Sequence, residues 1–344
     1  MENRHFLKQR QAIFDIVKFI MSLMIVAIHS QLFPMVLYPW LRLAVPMFFI
    51  ISSYFFFDNL RKLENEKEKN QRLWKYVKRN LMLYGFWFVV LLPYTLYVRH
   101  YFENGILNGI FEFIKSLLFG STFPASWFIQ ALIVSVTIVF FASKKIKNRY
   151  LFILSFFIYC FAIIRSSYWS VVEEAVFINR IYNGYQLIFS SPVFNASAAF
   201  IWVVIGKLFA EKKVQTSRMF SIVGLLLSSV LLYGEWLCVR NLNGSFNNDC
   251  YFFLIPTSFF AFQLISVIKV PSNHITNFFG KSSILIYTTH IPVIAVISSL
   301  LERLHPTINS IFVFVPVVVL CIIGSYMVLK LEQARMFRWL KYSH

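Results

Sequence analysis

Charge is scarce in this sequence. Only 14% of its 344 residues are Asp, Glu, Lys or Arg, where a soluble domain carries about 25%. Acidic residues are fewest, 15 against 33 basic ones. Four cysteines in 344 residues are too few for a disulfide-stapled secreted module. They form no CxxC pair, and no HExxH run appears, so neither a structural nor a catalytic metal is expected. A phosphate-cradling glycine loop and a dinucleotide fingerprint are missing as well. With 11 glycines and 11 prolines there is no Gly/Ser linker, and no internal repeat is visible. What fills the chain instead is apolar: 58% hydrophobic and 19% aromatic residues, 40 of them Phe. A soluble enzyme and a disordered tail are excluded, and a lipid environment is implied.

A helix needs about 20 mostly apolar residues to cross a bilayer. Ten stretches qualify as candidates: 13–33, 38–57, 80–98, 125–142, 150–165, 191–210, 219–238, 251–268, 282–301 and 308–329. Those at 150–165 and 191–210 are the least regular. The run 110–119 holds too few residues to cross and is expected in the interface or as a re-entrant turn. The apolar runs are continuous rather than alternating, so the spans are helices, not barrel strands. The expected fold is all-α, a polytopic membrane helical bundle of about ten transmembrane helices with both termini cytoplasmic. The first span, with Asp15 and Lys18 inside it, reads as a retained helix rather than a cleaved signal.

Orientation follows from the positive-inside rule. Of the 33 Lys and Arg, 25 fall in the N-terminal segment, 58–79, 143–149, Lys207–Arg218, 269–281 and the C-terminal segment. The alternate segments hold six: Arg99, Lys115, Arg165, Arg180, Arg240 and Arg303. Lys18 and Arg42 lie within spans. The formal charge of +18 is thus a topology signal next to anionic lipid, and no nucleic-acid partner is implied. Cys238 and Cys250 sit at the two ends of one outer loop, which leaves a disulfide there open.

Ionisable residues inside a span are rare and point to function. The first span carries Asp15, Lys18 and His29 in FDIVKFIMSLMIVAIHS. Lys18 and His29 are eleven residues apart, about three full turns, so they share a helix face and stand roughly 16 Å apart along the axis. Asp15 lies one turn from Lys18 and can pair with it. Lys18 could equally snorkel to the headgroups. His29 could equally pack at the interface, but a neutral imidazole is the usual general base near pH 7. Arg42 is either an interface anchor or a partner for an acidic group. Trp127 opens the fourth span in Ser126-Trp127-Phe128, where an aromatic-belt role accounts for it equally well. His290, in Tyr287-Thr288-Thr289-His290-Ile291-Pro292, is a structural or a catalytic histidine, with Pro292 freeing backbone groups nearby. Glu235, near the outer end of the seventh span, is a carboxylate able to orient an imidazole.

Taken together these residues resemble the acyltransferase 3 family of integral membrane acyltransferases. Its first helix carries a basic residue, ten intervening residues and a histidine; here these are Lys18 and His29, with Asp15 matching the acidic residue three positions earlier. Val45-Pro46-Met47-Phe48-Phe49-Ile50-Ile51-Ser52 is similar to the family's VPxFFxxSG segment, with Ser53 in the glycine position. Arg42 stands where many members of this subgroup have an arginine. Lys75, Lys78 and Arg79 resemble a cytoplasmic arginine-rich element, without its Arg-x-Arg motif. Ser126-Trp127-Phe128 resembles the family's Trp-Phe, and Gly280, Ser283, Tyr287 and His290 resemble its late G-x-x-S-x-x-x-Y-x-x-H segment.

The resemblance implies one membrane-embedded acyltransferase 3-like domain over 10–330, followed by a short basic cytoplasmic tail, 331–344. No fused esterase-like or racemase domain is expected. The implied donor is acyl-CoA, usually acetyl-CoA, entering from the cytoplasm. The acceptor is a hydroxyl of a surface or lipid-linked glycan outside the cell membrane. Lys18, Lys75, Lys78 and Arg79 would meet donor phosphates. His29 would be the base, with Asp15 and His290 in the catalytic set, and Arg42, Trp127, Tyr287 and Glu235 would contact substrate. The outer loops 99–125 and 165–190 are candidate acceptor surfaces. Two other readings stand beside this one: a transporter or flippase, whose intramembrane charges line a path, and an acyltransferase acting on a small amino acid or a lipid. A homo-oligomer is left open. The charge distribution predicts that a cysteine placed in 58–79 is labelled only by reagents that reach the cytoplasm. Labelling from outside would invert the topology.

Overall fold

The computed structural model describes residues 2–32, 37–103, 105–243, 248–303 and 310–344. Among these every regular element is helical. Seven of the helices come first: α1 (Glu2–His29), α2 (Tyr38–Leu41), α3 (Ala44–Leu60), α4 (Glu66–Arg99), α5 (Ile106–Phe119), α6 (Ser126–Ala142) and α7 (Asn148–Ser166). The others are α8 (Trp169–Val172), α9 (Val176–Ile188), α10 (Ala196–Ala210), α11 (Arg218–Asn243), α12 (Leu254–Ser266), α13 (His274–Glu302) and α14 (Ser310–Leu331).

Among the described residues seven segments are long and apolar enough to cross a membrane: Gln11–His29, Tyr38–Leu60, Glu66–Arg99, Asn148–Ser166, Arg218–Leu242, His274–Glu302 and Ser310–Leu331. The other three expected spans are apolar helices of 17, 15 and 13 residues, α6, α10 and α12, short of the usual crossing length. Local chemistry explains two of the late starts. Pro192 opens a 3₁₀ turn and Asn195 caps α10, its side chain accepting from Ser197 N at 2.8 Å. Two carboxylate bonds, described below, hold the approach to α12. Phe33 and residues 308–309, at the margins of the first and tenth expected spans, lie outside the described residues. The 110–119 run is the C-terminal part of α5, and the loop expected at 165–190 is largely helical, as α8 and α9. Cys238 and Cys250 are not joined to each other in a disulfide.

The chain divides into two compact units. The first joins the ends of the sequence, Met1–Phe48 with Phe260–His344, and the second is Phe49–Phe259. In the first unit α13 packs against both α1 and α14. Val26, Ile286, Val317 and Cys321 form the buried centre of that trio. Asn273 and Thr276 close a capping box at the start of α13, as the first turn of a long helix requires. A salt bridge, Lys281 to Glu332 at 3.7 Å, ties α13 to the segment just after α14.

In the second unit α10 is the central element. Its sequence is apolar on nearly all sides, which marks a helix with no water-facing side. Residues from Ala198 to Ala210 are almost all buried, and α10 packs against both α6 and α7. Lys207, 5% exposed, joins α10 to α7 through Glu211 at 2.5 Å and Asn148 at 2.7 Å. Burial pushes the Glu211 carboxyl up, but the bonds from Lys207 and Asn148 outweigh it and leave its pKa below the ordinary range. That contribution is therefore present at neutral pH and fades as pH falls through the lowered value.

Ser53, in the position where the family segment has glycine, does not prevent close helix packing. The room comes from the partner helix. A Cβ on Gly206 would stand 2.1 Å from Ser53 Oγ and 2.6 Å from Ile50 O. Gly206→Ala is expected to destabilise by about 1–3 kcal/mol through overpacking, read as a lower thermal midpoint in detergent. Adding Ser53→Gly should recover only part of it, because the Ile50 carbonyl still blocks the new methyl.

Candidate functional site

The first unit assembles Asp15, Lys18, His29, Tyr287 and His290 on two adjacent helices. α1 and α13 run in the same direction, as contacts at both ends show. Near the start of this pairing, the Asp15 carboxylate lies against Gly280, where a Cβ would be 2.6 Å from its Cγ and 2.7 Å from Oδ1. Phe19 stacks on Phe279 beside it, with ring centres 4.3 Å apart. At the far end the rings of His29 and His290 are 5.1 Å apart and tilted by 42°.

Asp15 is 7% exposed. A carboxylate so buried needs a partner, and Lys18 Nζ provides one at 2.7 Å. The i, i+3 spacing places both on one face of α1. His29, eleven residues on and exposed in the last turn of α1, stands roughly 16 Å further along the axis. Its partner on α13 is its opposite in environment, since His290 is fully buried. His290 Nδ1 is 2.7 Å from Tyr287 O and 3.3 Å from Ile286 O. Pro292 removes the N–H that would reach the Thr288 carbonyl, so the carbonyl it frees is not one that His290 uses. Tyr287 is buried, with its ring 6.0 Å from His290 and 5.9 Å from Phe48.

Arg42, also in the first unit, ends α2 with its guanidinium over the Tyr38 ring at 4.5 Å and a hydrogen bond to the Tyr38 hydroxyl. Sequence reading passed over Tyr38, although the i, i+4 spacing to Arg42 carries the signal. It also took Gly280 only as a motif position, because the need for an open backbone there appears only with Asp15 in place.

The remaining candidates belong to the second unit. Trp127 packs between Phe49 and Phe194, with ring centres 6.0 and 5.7 Å away. Glu235 is buried, and its carboxylate accepts from Tyr168 Oη at 2.9 Å and from the Phe252 and Phe253 amides at 2.8 Å each. These bonds hold the approach to α12, and no imidazole is among these partners. Lys75, Lys78 and Arg79 share an exposed face of α4. Lys75 borders a cavity of about 420 Å³ that Lys62 and Arg72 also line. The segments 99–125 and 165–190, expected as outer loops, meet in this unit, with Phe119 and Phe189 at 5.0 Å and Gly120 against Ser190. Phe119, Tyr185 and Phe189 there border an apolar cavity of about 680 Å³.

An all-helical chain with at least seven helices able to cross a membrane, and with paired charges and imidazoles inside one helix pair, defines an integral membrane protein built around polar chemistry. The acyltransferase 3 family model, described as an acyltransferase domain, matches residues 11–330, and the chain belongs to that family. It is similar to an amino-acid racemase of Enterococcus faecalis, 24% identical over 347 residues, which are 95% of this chain and 47% of that protein. A serine/alanine racemase of Enterococcus gallinarum is 24% identical over 329 residues, 90% of this chain and 44% of the relative. The chain thus spans under half the length of these curated relatives. No solved structure matches.

Gly280 carries a direct test of the charged end. In Gly280→Ala the new methyl and the Asp15 carboxylate compete for one place, and the Lys18 pair must break or shift. We expect a loss of about 1–3 kcal/mol in stability, measured by thermal unfolding in detergent. Asp15→Ala added to Gly280→Ala should cost less than the two single losses combined. Additive losses would show that the carboxylate and Gly280 are not in contact.

Proposed function

We propose that this protein moves an acyl group, acetyl in the simplest case, from cytoplasmic acyl-CoA to a hydroxyl of a surface or lipid-linked glycan outside the cell membrane. Family membership supports acyl transfer. The observation that carries the site is the α1–α13 pair, with a cation at one end and two imidazoles at the other. A parallel α1 and α13 fits the first and ninth spans of a ten-span arrangement with cytoplasmic termini, in which α6, α10 and α12 cross as shortened helices.

In this reading Lys18 meets a phosphate of the anionic donor, and Asp15 holds Lys18 in place. The pantetheine arm follows α1 toward His29. The acceptor O–H gives its proton to a ring nitrogen of His29 as its oxygen attacks the thioester carbonyl. The C–S bond then breaks, and the departing CoA thiolate takes the proton back from the imidazolium. Lys75, Lys78 and Arg79 stay as candidate phosphate partners, and Arg42, Trp127, Tyr287 and Glu235 as candidate substrate contacts, on the family resemblance. A second reading keeps the chemistry and changes the acceptor. The relative named for serine and alanine favours a hydroxyl-bearing amino acid.

General-base assistance is worth about 10²–10⁴ in rate. His29→Ala and His29→Gln should both lose activity on that scale, since an amide bonds a hydroxyl but takes no proton at neutral pH. Donor affinity, measured by calorimetry with acetyl-CoA, should persist in both. A folded His29→Gln protein with near-normal turnover would remove the assignment.

A further inference from the structure

The hydrogen bonds of His290 fix which of its nitrogens carries the proton. Nδ1 faces two carbonyl oxygens, Tyr287 O at 2.7 Å and Ile286 O at 3.3 Å. Carbonyls only accept, so Nδ1 must donate. In a neutral imidazole the other nitrogen is then a bare lone pair. That atom, Nε2, is fully buried and finds no donor among the described residues. A buried acceptor left without a donor is unfavourable and calls for an explanation.

The geometry offers one. An N–H···N bond of about 3 Å joining the edges of two imidazoles puts their centres about 5 Å apart, and the His29 and His290 centres are 5.1 Å apart. We propose that His290 is a positioning residue for His29: its Nε2 accepts an N–H from the His29 ring once that ring turns about its Cβ–Cγ bond. The inference rests on the acyl-transfer reading, in which His29 is the base.

Its consequence is a relay of fixed direction. The Tyr287 carbonyl holds His290 in one tautomer, and His290 in turn selects the tautomer of His29. The other nitrogen of His29 is left bare to take the proton of the attacking hydroxyl. When it does so, one N–H of the new imidazolium rests on His290 Nε2 and the second faces the reacting atoms. The proton then goes to the CoA thiolate. In this scheme His290 keeps its Nδ1 hydrogen on the Tyr287 carbonyl and neither gains nor loses a proton. Its buried setting suits that role, since a lone pair shielded from water keeps its direction without competition.

The test uses the full-length protein in detergent. In the first arm the probe is acetyl-CoA, with water as acceptor and thioester loss as the readout. His290→Leu removes the acceptor and should lower kcat about 10- to 100-fold, the worth of a hydrogen bond to a charged group, with donor KM unchanged. His290→Gln offers an amide oxygen and should recover most of that loss. If both variants fold and Gln is as inactive as Leu, or if Leu is unaffected, the proposal fails. The second arm needs no activity. With ¹⁵N-labelled histidine, the His290 signals, identified by their loss in His290→Gln, should show Nδ1 protonated and Nε2 bare. A scalar coupling across the hydrogen bond should join Nε2 to a His29 nitrogen. A protonated Nε2, or no coupling to His29, overturns the proposal. If no variant or wild-type protein consumes acetyl-CoA while the coupling is present, the acyl-CoA reading fails and the histidine pair stands.

Discussion

Asp15 occupies a place that the neighbouring helix leaves open only because residue 280 is glycine, and the alignment of α1 on α13 depends on that fit. The carboxylate is too large to sit between two ordinary helix faces and too polar to be buried alone. Lys18 neutralises it from its own helix, and the bare backbone at Gly280 gives it room. With this contact set, residues further along the two helices have little freedom in where they fall. Val26 reaches the buried centre beside Ile286, and His29 comes level with His290.

The second unit solves a similar problem with the roles exchanged. In lipid, helices gain little from hydrophobic transfer and rely on close van der Waals packing and interhelical hydrogen bonds. Gly206 on α10 brings that helix onto Ser53 and the Ile50 carbonyl of α3. Lys207, next in sequence, adds a polar tie to a different helix, α7, through Asn148 and Glu211. Each unit thus pairs a glycine contact with a buried ion pair that starts on a single helix. The glycine sets the distance, and the charges resist rotation.

Much of this was legible in the sequence because it depends on spacing. The eleven-residue step from Lys18 to His29 and the three-residue step from Asp15 to Lys18 are facts of helix geometry, and the structure keeps both on α1. The apolar runs marked where helices lie, though not how long each would be. Pro192 and Asn195 delay α10, a local effect that a sliding apolar window averages away. Glu235 was only partly legible, for another reason. A carboxylate in an apolar stretch suggests chemistry, yet its oxygens meet two backbone amides and a tyrosine hydroxyl whose positions depend on tertiary folding. His29 and His290 could each be suspected on their own, but no sequence pattern says that they face each other. Their meeting follows from the parallel packing of helices from opposite ends of the chain.

That origin at opposite ends has a bearing on biogenesis. A ribosome adds about 5–20 residues per second, so α1 enters the bilayer roughly tens of seconds before α13 exists. During that interval the first helix has no partner for its polar face. Asp15 and Lys18, one turn apart, are already able to cancel each other within the helix, which lowers the penalty of holding either in lipid. The pairing thus lies within one helix and does not wait on the helix with the matching glycine.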